Sequence, residues 1–196
     1  MSELDERVRS LLLAGGIKGA TTLVLRELAP EICGFLSGVL GDDDGDEVFS
    51  AFSFRLWRSL EGFEGRCSVR TWAYVLARRE IGKFRRGERR HEQGRVPISE
   101  LEEILADAKT KSRSALATDK RLSLVKLRDE LPVEDRTLLI LRVDRGLSWA
   151  DIALAFADER EAPDEDVIKR EAARLRKRFQ LIKKRLAARM REAFAT

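Results

Sequence analysis

Apolar residues in this chain recur three and four positions apart over long stretches, with no sustained alternation at every second position. That is the spacing of helix faces and not of strands. Leu25, Leu28, Ile32 and Leu36 make one such run, and Phe49, Phe52, Leu56 and Leu60 make a second. Val69, Trp72, Ala73, Leu76, Ala77, Ile81 and Phe84 make a third. No Asn-Gly or Asp-Gly pair flanked by apolar runs is present to turn a hairpin. The expected class is therefore all-α. A first helix is predicted over Thr21–Leu40, with Pro30 expected to kink or split it. A second is predicted over about Asp46–Leu60, after the break and acidic start signal "GDDDGDE". A third follows the loop "EGFEGRC".

Composition then divides the chain. Charged residues make up 37% and hydrophobic ones 43%, so a core can form beneath heavily solvated helix faces. The net charge of +4 conceals segregation. Acid collects at Asp42–Glu47 and Asp158–Asp166, and base at Arg78–Arg90 and Lys169–Arg191, where it suits a polyanion. Periodicity weakens between Gly87 and about Lys120, apart from a short helix expected at "SELEEILADA". Two small helical domains joined by a linker are the expected architecture: an N-terminal extension over 1–18, a domain over 19–90, a linker over 91–119 and a domain over 120–196. In the second domain "RLSLVKLRDEL" reads as a helix ended by Pro132. "PVEDRTLLILRVDR" reads as another, ended by Gly146.

Cys33 and Cys67 have no CxxC spacing, and the lone His91 sits in the charged linker. This argues against a disulfide framework and a zinc site, so neither metal nor cofactor is expected. The acidic opening "MSELDERVRSLLLAGG" is no signal peptide, and no stretch approaches the roughly 20 apolar residues of a membrane span. A cytoplasmic chain with no membrane insertion is the expectation.

Two stretches carry candidate chemistry. "LSWADIALAF" followed by "DEDVIKREAARLRKRFQLIKKRLAARMREAF" reads as a helix-turn-helix. Ser148 is the N-cap of its first helix, which carries Ile152, Ala153 and Phe156. The second turns Val167 or Ile168, Ala172, Leu175, Phe179 and Ile182 inward. Outward it presents Lys169, Arg170, Arg174, Arg176, Lys177 and Arg178, forks and point charges suited to base edges and phosphates in a major groove. The turn "ADEREAPDED" is longer and more acidic than a compact helix-turn-helix uses. The other stretch is "RTWAYVLARREIGKFRR". Arg70, Tyr74 and Arg78 stand four apart, opposite the Trp72 stripe, and Arg79, Lys83, Arg85 and Arg86 extend the cationic field. An exposed Tyr74 among cations would stack and hold single-stranded nucleic acid; the alternative is a tyrosine at the rim of the core. Phe54, off its helix's apolar face with Trp57 at the margin, invites a protein partner.

These residues resemble a known family. "FRLWRSLEGFEGRCSVRTWAYVLARREIGKFRR", then "LPVEDRTLLILRVDRGLSWADIALAF" and "VIKREAARLRKRF", are similar to the extracytoplasmic-function (ECF) group of bacterial sigma-70 family RNA polymerase sigma factors. The resemblance covers about Gly19 to Arg90 and Lys120 to Arg189. It implies a sigma region 2 helical bundle followed by a sigma region 4 helix-turn-helix. The first would dock on the β′ coiled coil of core RNA polymerase and capture the melted minus-10 strand. The second would read the minus-35 element as duplex and touch the β flap. By position, Asp46, Glu47, Ser50, Phe54, Arg55 and Trp57 fall in the core-docking helix. Arg66, Arg70, Tyr74, Arg78, Arg79, Lys83, Arg85 and Arg86 fall in the minus-10 region. Lys169, Arg170, Arg174, Arg176, Lys177 and Arg178 fall on the minus-35 helix. An anti-sigma factor is the further partner the resemblance implies.

The chain departs from the family pattern in places. Ser50 and Ala51 stand where glutamine and glutamate are usual, Arg79 where asparagine is common, and Lys83 where aspartate is frequent. The acidic loop before Asp166 looks inserted. Ser50 and Ala51 motivate a rival reading: a sigma-like regulator, or a mimic binding an anti-sigma factor, that does not initiate transcription. A second rival is a DNA-strand transferase using Tyr74. No paired-carboxylate, P-loop or metal-ligand spacing supports that, and no enzyme is expected.

Overall fold

The computed structural model describes residues 2–87, 128–157 and 164–193, together with residues 103, 104, 106–108 and 110. The chain divides into two compact units, Met1–Ala115 and Leu116–Thr196. Regular structure among the described residues is helical throughout, with no strand. None of the described helices is long and apolar enough to cross a membrane.

The first unit contains α1 (Glu3–Leu13), α2 (Ile17–Leu40), α3 (Asp42–Ser59), a 3₁₀ turn (Leu60–Gly62) and α4 (Val69–Arg85). Residues 1–18, expected as an extension, supply a helix with a cap of its own. Ser2 Oγ accepts from Asp5 N at 3.2 Å, and the Asp5 carboxylate accepts from Ser2 N at 2.7 Å. Val8 is fully buried. α2 is apolar on nearly every side, which forces it to the centre: Ala20, Val24, Leu25, Leu28, Ala29, Ile32, Phe35, Leu36 and Val39 are all buried. α1, α3 and α4 pack around it.

Pro30 does not split α2, which runs unbroken from Ile17 to Leu40. The hydrogen bond lost at Pro30 is local, while Leu28, Ala29, Ile32 and Cys33 on either side are buried and hold both halves in one line. The turn from α2 to α3 is shorter than expected. Gly41 alone makes it, at φ 91°, and α3 begins at once with Asp42, Asp43 and Asp44 in its first turn, where the helix dipole favours acid. Gly45, which reads as part of a chain break, lies inside α3. A Cβ there would sit 2.9 Å from the backbone N of Ser37, so α2 and α3 touch backbone to backbone. Around α2 the core closes with Phe35, Phe49, Phe52, Leu56, Leu60, Tyr74 and Leu76.

In the second unit α5 (Val133–Leu139) continues into a π turn (Ile140–Asp144), followed by α6 (Trp149–Phe156) and α7 (Glu165–Ala193). Gly146 turns the chain at φ 66°. Ser148 caps α6, accepting from Asp151 N at 3.1 Å, and Asp164 caps α7, accepting from Val167 N at 2.7 Å. Leu138, Leu141, Leu147, Ile152, Ala153, Ala172, Leu175, Phe179 and Ile182 form the core. Most of the helix expected over Arg121–Leu131, and residues 158–163 of the acidic turn, lie outside the described residues. Within the expected linker, residues 103, 104, 106–108 and 110 are helical.

Candidate nucleic-acid interface

α4 is held at its start by three groups. Ser68 Oγ caps it by accepting from Thr71 N at 3.0 Å. Thr71 Oγ1 lies 2.8 Å from the same oxygen, and Asp5 Oδ1 accepts from Val69 N at 2.7 Å. Burial pushes the Asp5 carboxyl upward, but the N–H donations of Ser2 and Val69 outweigh it and hold the pKa below the ordinary carboxylate value. The preceding loop is anchored where Phe63 packs on Trp72, ring centroids 5.0 Å apart.

Further along α4 the structure corrects the expected strand-facing side. Tyr74 is fully buried and packs edge-on against Phe35 at 5.4 Å. It is a core residue, closed off from any base. Arg70 lies 5.5 Å over its ring and makes a two-pronged ion pair with Glu31 of α2, at 2.9 to 3.1 Å. The Glu31 carboxylate raises the Arg70 pKa above the ordinary guanidinium value, against the lowering effect of burial. The reason is neighbourhood. α4 is enclosed by α1, α2 and α3, so the face that looks polar in sequence is also buried, with Thr71, Tyr74 and Val75 closed off.

What α4 leaves accessible is its far end and one flank. Arg85 and Arg86 are exposed. Lys83 pairs with Glu80 at 3.3 Å, and Arg66 in the loop pairs with Glu64 at 2.5 Å. Arg78 and Arg79 are half-buried. Along the flank, α3, the 3₁₀ turn and α4 enclose a groove of about 570 Å³. It brings Arg55 and Arg58 of α3 beside Glu61, Trp72, Leu76 and Arg79. Arg55 is fixed there by Glu80, Nη1 to Oε1 at 3.0 Å. Residues expected to serve separate roles, Arg55 and Arg79, thus share one groove. Half-buried Trp72, assigned to the core by its stripe, is the aromatic that reaches it. Trp72 is the second member of its stripe, and nothing in the apolar spacing marks it as reaching the flank.

On α3, Asp46 is half-buried, Glu47 and Ser50 are exposed, and Phe54 and Trp57 are half-buried. Phe54 is not a single exposed ring. It lies 5.9 Å from Trp57, with Arg58 5.8 Å over its face. Ala51 is exposed beside Ser50.

In the second unit, α7 presents Lys169, Arg170, Arg174, Arg176 and Lys177 to solvent. Lys169 pairs with Glu165 at 2.8 Å, and Arg170 Nε reaches the Asp166 carbonyl at 3.4 Å. Arg174 pairs with Glu171 at 2.5 Å, which raises its pKa. Arg178 departs from the expected outward set. It turns in and donates to the buried Asp135 of α5 at 2.6 Å. Of the inward residues Ile168 is half-buried, while Val167 is 39% exposed. Trp149 opens α6 between two guanidinium groups, Arg142 at 4.9 Å and Arg176 at 5.6 Å, with Phe179 edge-on at 5.5 Å. Among the described residues no group of three or more His, Cys, Asp or Glu is placed to hold a metal ion.

The first unit is thus a helical bundle carrying a basic, aromatic-lined groove, and its sequence matches a described protein family. Residues 24–91 match the family model Sigma-70 region 2. Over 156 residues, the chain is 25% identical to the ECF RNA polymerase sigma-E factor of Haemophilus influenzae, covering 76% of this chain and 80% of that one. Residues 24–91 thus carry a sigma-70 region 2 sequence, and the two similarities together support an extracytoplasmic-function sigma factor of the sigma-70 family. Both similarities support a sigma-factor role in transcription initiation.

Proposed function

We propose that this chain binds core RNA polymerase, recognises promoter DNA at two elements and promotes strand opening. The observation that carries the reading is the coincidence of the region 2 match with a unit bearing two distinct surfaces. The Glu47, Ser50, Phe54 and Trp57 stripe of α3 offers a docking face for the polymerase β′ coiled coil. The groove of Arg55, Arg58, Trp72 and Arg79, continued by Lys83, Arg85 and Arg86, suits the melted minus-10 strand. In the second unit Lys169, Arg170, Arg174, Arg176 and Lys177 on α7 suit duplex at the minus-35 element, with contact to the β flap from the same unit. An anti-sigma factor covering these faces, and a cytoplasmic setting, belong to the same reading.

No bond is made or broken by such a protein. An extruded base costs a few kcal/mol of pairing and stacking, and stacking on an aromatic side chain returns about 1 to 3 kcal/mol. Opening is favoured because the single strand gains partners that the duplex lacks. Run-off transcription with purified core polymerase and a cognate promoter tests this. Transcript is expected. A stable polymerase complex without transcript would favour the regulator reading motivated by Ser50 and Ala51.

A further inference from the structure

Arg7 of α1 and Lys18, Thr22 and Arg26 of α2 line a shallow groove of about 440 Å³ floored by Gly19 and Leu23. No residue of α3 or α4 lines it, so it is separate from the surfaces above. Lys18, Thr22 and Arg26 are four apart and stand in file along α2. Lys18 and Arg26 are exposed, and no carboxylate among the described residues pairs with either. Arg7 meets Glu3 at 4.0 Å, with both side chains more than half exposed. By contrast, Arg55 and Lys83 are held by Glu80, and Arg70 by Glu31. Lys18 and Arg26, exposed and with no carboxylate partner among the described residues, repel each other and Arg7 until an anion neutralises them.

We propose that this groove seats the phosphodiester backbone of nucleic acid. Its polar lining is an ammonium, two guanidinium forks and a hydroxyl, the groups that bind phosphate oxygens. From Lys18 to Arg26 is about 12 Å along the helix. That length spans three or four phosphates of one strand, at about 3.4 Å of axial rise each. The groove has no aromatic side chain to stack a base, so it adds affinity and register without reading sequence. An acidic protein would meet the same charges, but Leu23 is the sole large apolar side chain in the lining, and protein interfaces are centred on buried apolar anchors.

The test titrates the full-length chain with labelled single-stranded and duplex DNA at several salt concentrations. Arg7→Ala/Lys18→Ala/Arg26→Ala is expected to weaken binding about tenfold or more at moderate salt. It should flatten the plot of log affinity against log salt by about 2 for a single strand or about 2.7 for duplex. The arm that shows the change identifies the form bound. Gly19→Glu is the second variant. It deletes no cation, and its new Cβ meets Leu11 Cδ2 at an ordinary 3.6 Å. Weakened binding in the same arm with a melting temperature no lower than wild type is expected, since Glu is the better helix former. Wild-type affinity and slope in both arms overturn the proposal. The same result combined with lost co-elution with core polymerase reassigns the groove to an acidic protein surface.

Discussion

Asp5 shows how far one side chain can reach in this fold. Its carboxylate completes the cap of α1 and also accepts from Val69 N, 64 residues away, at the first turn of α4. Asp5→Ala is expected to destabilise the first unit by about 1 to 2 kcal/mol, the range of lost caps. The contribution depends on pH. The folded-state pKa is depressed, so the stabilisation is complete above the unfolded value of about 3.9 and is lost as pH falls through the folded value. Urea unfolding of both proteins should show a constant gap from pH 7 to 5 and a shrinking one below about pH 4. A gap that grew on acidification would mean that Asp5 is not held as the anion. Tyr74 makes the opposite point about legibility. Its spacing from Arg70 and Arg78 is visible in sequence, but a second helix that covers this side is not. Tyr74→Ala is expected to cost about 3 to 5 kcal/mol, as for a buried aromatic, and to lower the melting temperature sharply. If the variant melted like wild type and lost only DNA affinity, Tyr74 would be a stacking residue after all.

At the scale of elements, the apolar periods located α2, α3, α4, α6 and α7, because each helix buries one continuous stripe and such stripes are visible in one dimension. Their ends were less legible, and so was their closeness. α3 starts at Asp42 and not near Asp46, since a single glycine at positive φ suffices for the turn. The local effect of Pro30 favours a kink or a split, whereas packing on both sides decides the outcome. In sequence Gly45 looks like a breaker, yet its lack of a side chain is what lets α2 and α3 approach. Gly45→Ala therefore sets helix propensity against contact. The substitution should gain up to about 1 kcal/mol of propensity, but forcing a Cβ against backbone at 2.9 Å costs about 1 to 3 kcal/mol. Because the opposing atoms are backbone, the net effect is expected to be destabilising, read as a lower urea midpoint. A more stable variant would show that the two helices can part at no cost. In the second unit, the local pattern places Arg178 outward with its basic neighbours. The ion pair with Asp135, on an element 43 residues earlier, has no trace in the local pattern.

For the whole molecule, charge segregation made two basic surfaces legible, and the structure places them in different compact units. If each unit carries its own binding task, the tasks should fail separately. Phe54→Ala/Trp57→Ala removes two half-buried rings that pack on each other at the outside of α3. Folding should survive, since the core residues Phe49, Phe52 and Leu56 lie on the other face. Loss of co-elution with core polymerase is expected, by at least tenfold in affinity, because paired aromatic rings are frequent energetic centres of interfaces. Arg174→Glu/Arg176→Glu leaves that surface untouched and reverses charge on exposed positions of α7. Polymerase binding should be retained, while binding to promoter duplex is abolished and run-off transcription falls with it. Arg176 also lies over Trp149, so a melting curve must accompany the measurement, and Arg174→Glu alone provides a variant that leaves that contact intact. Should the α7 variant lose polymerase as completely as the α3 variant, or should wild-type duplex affinity persist after both arginines are reversed, the separation of tasks between the two units would be wrong.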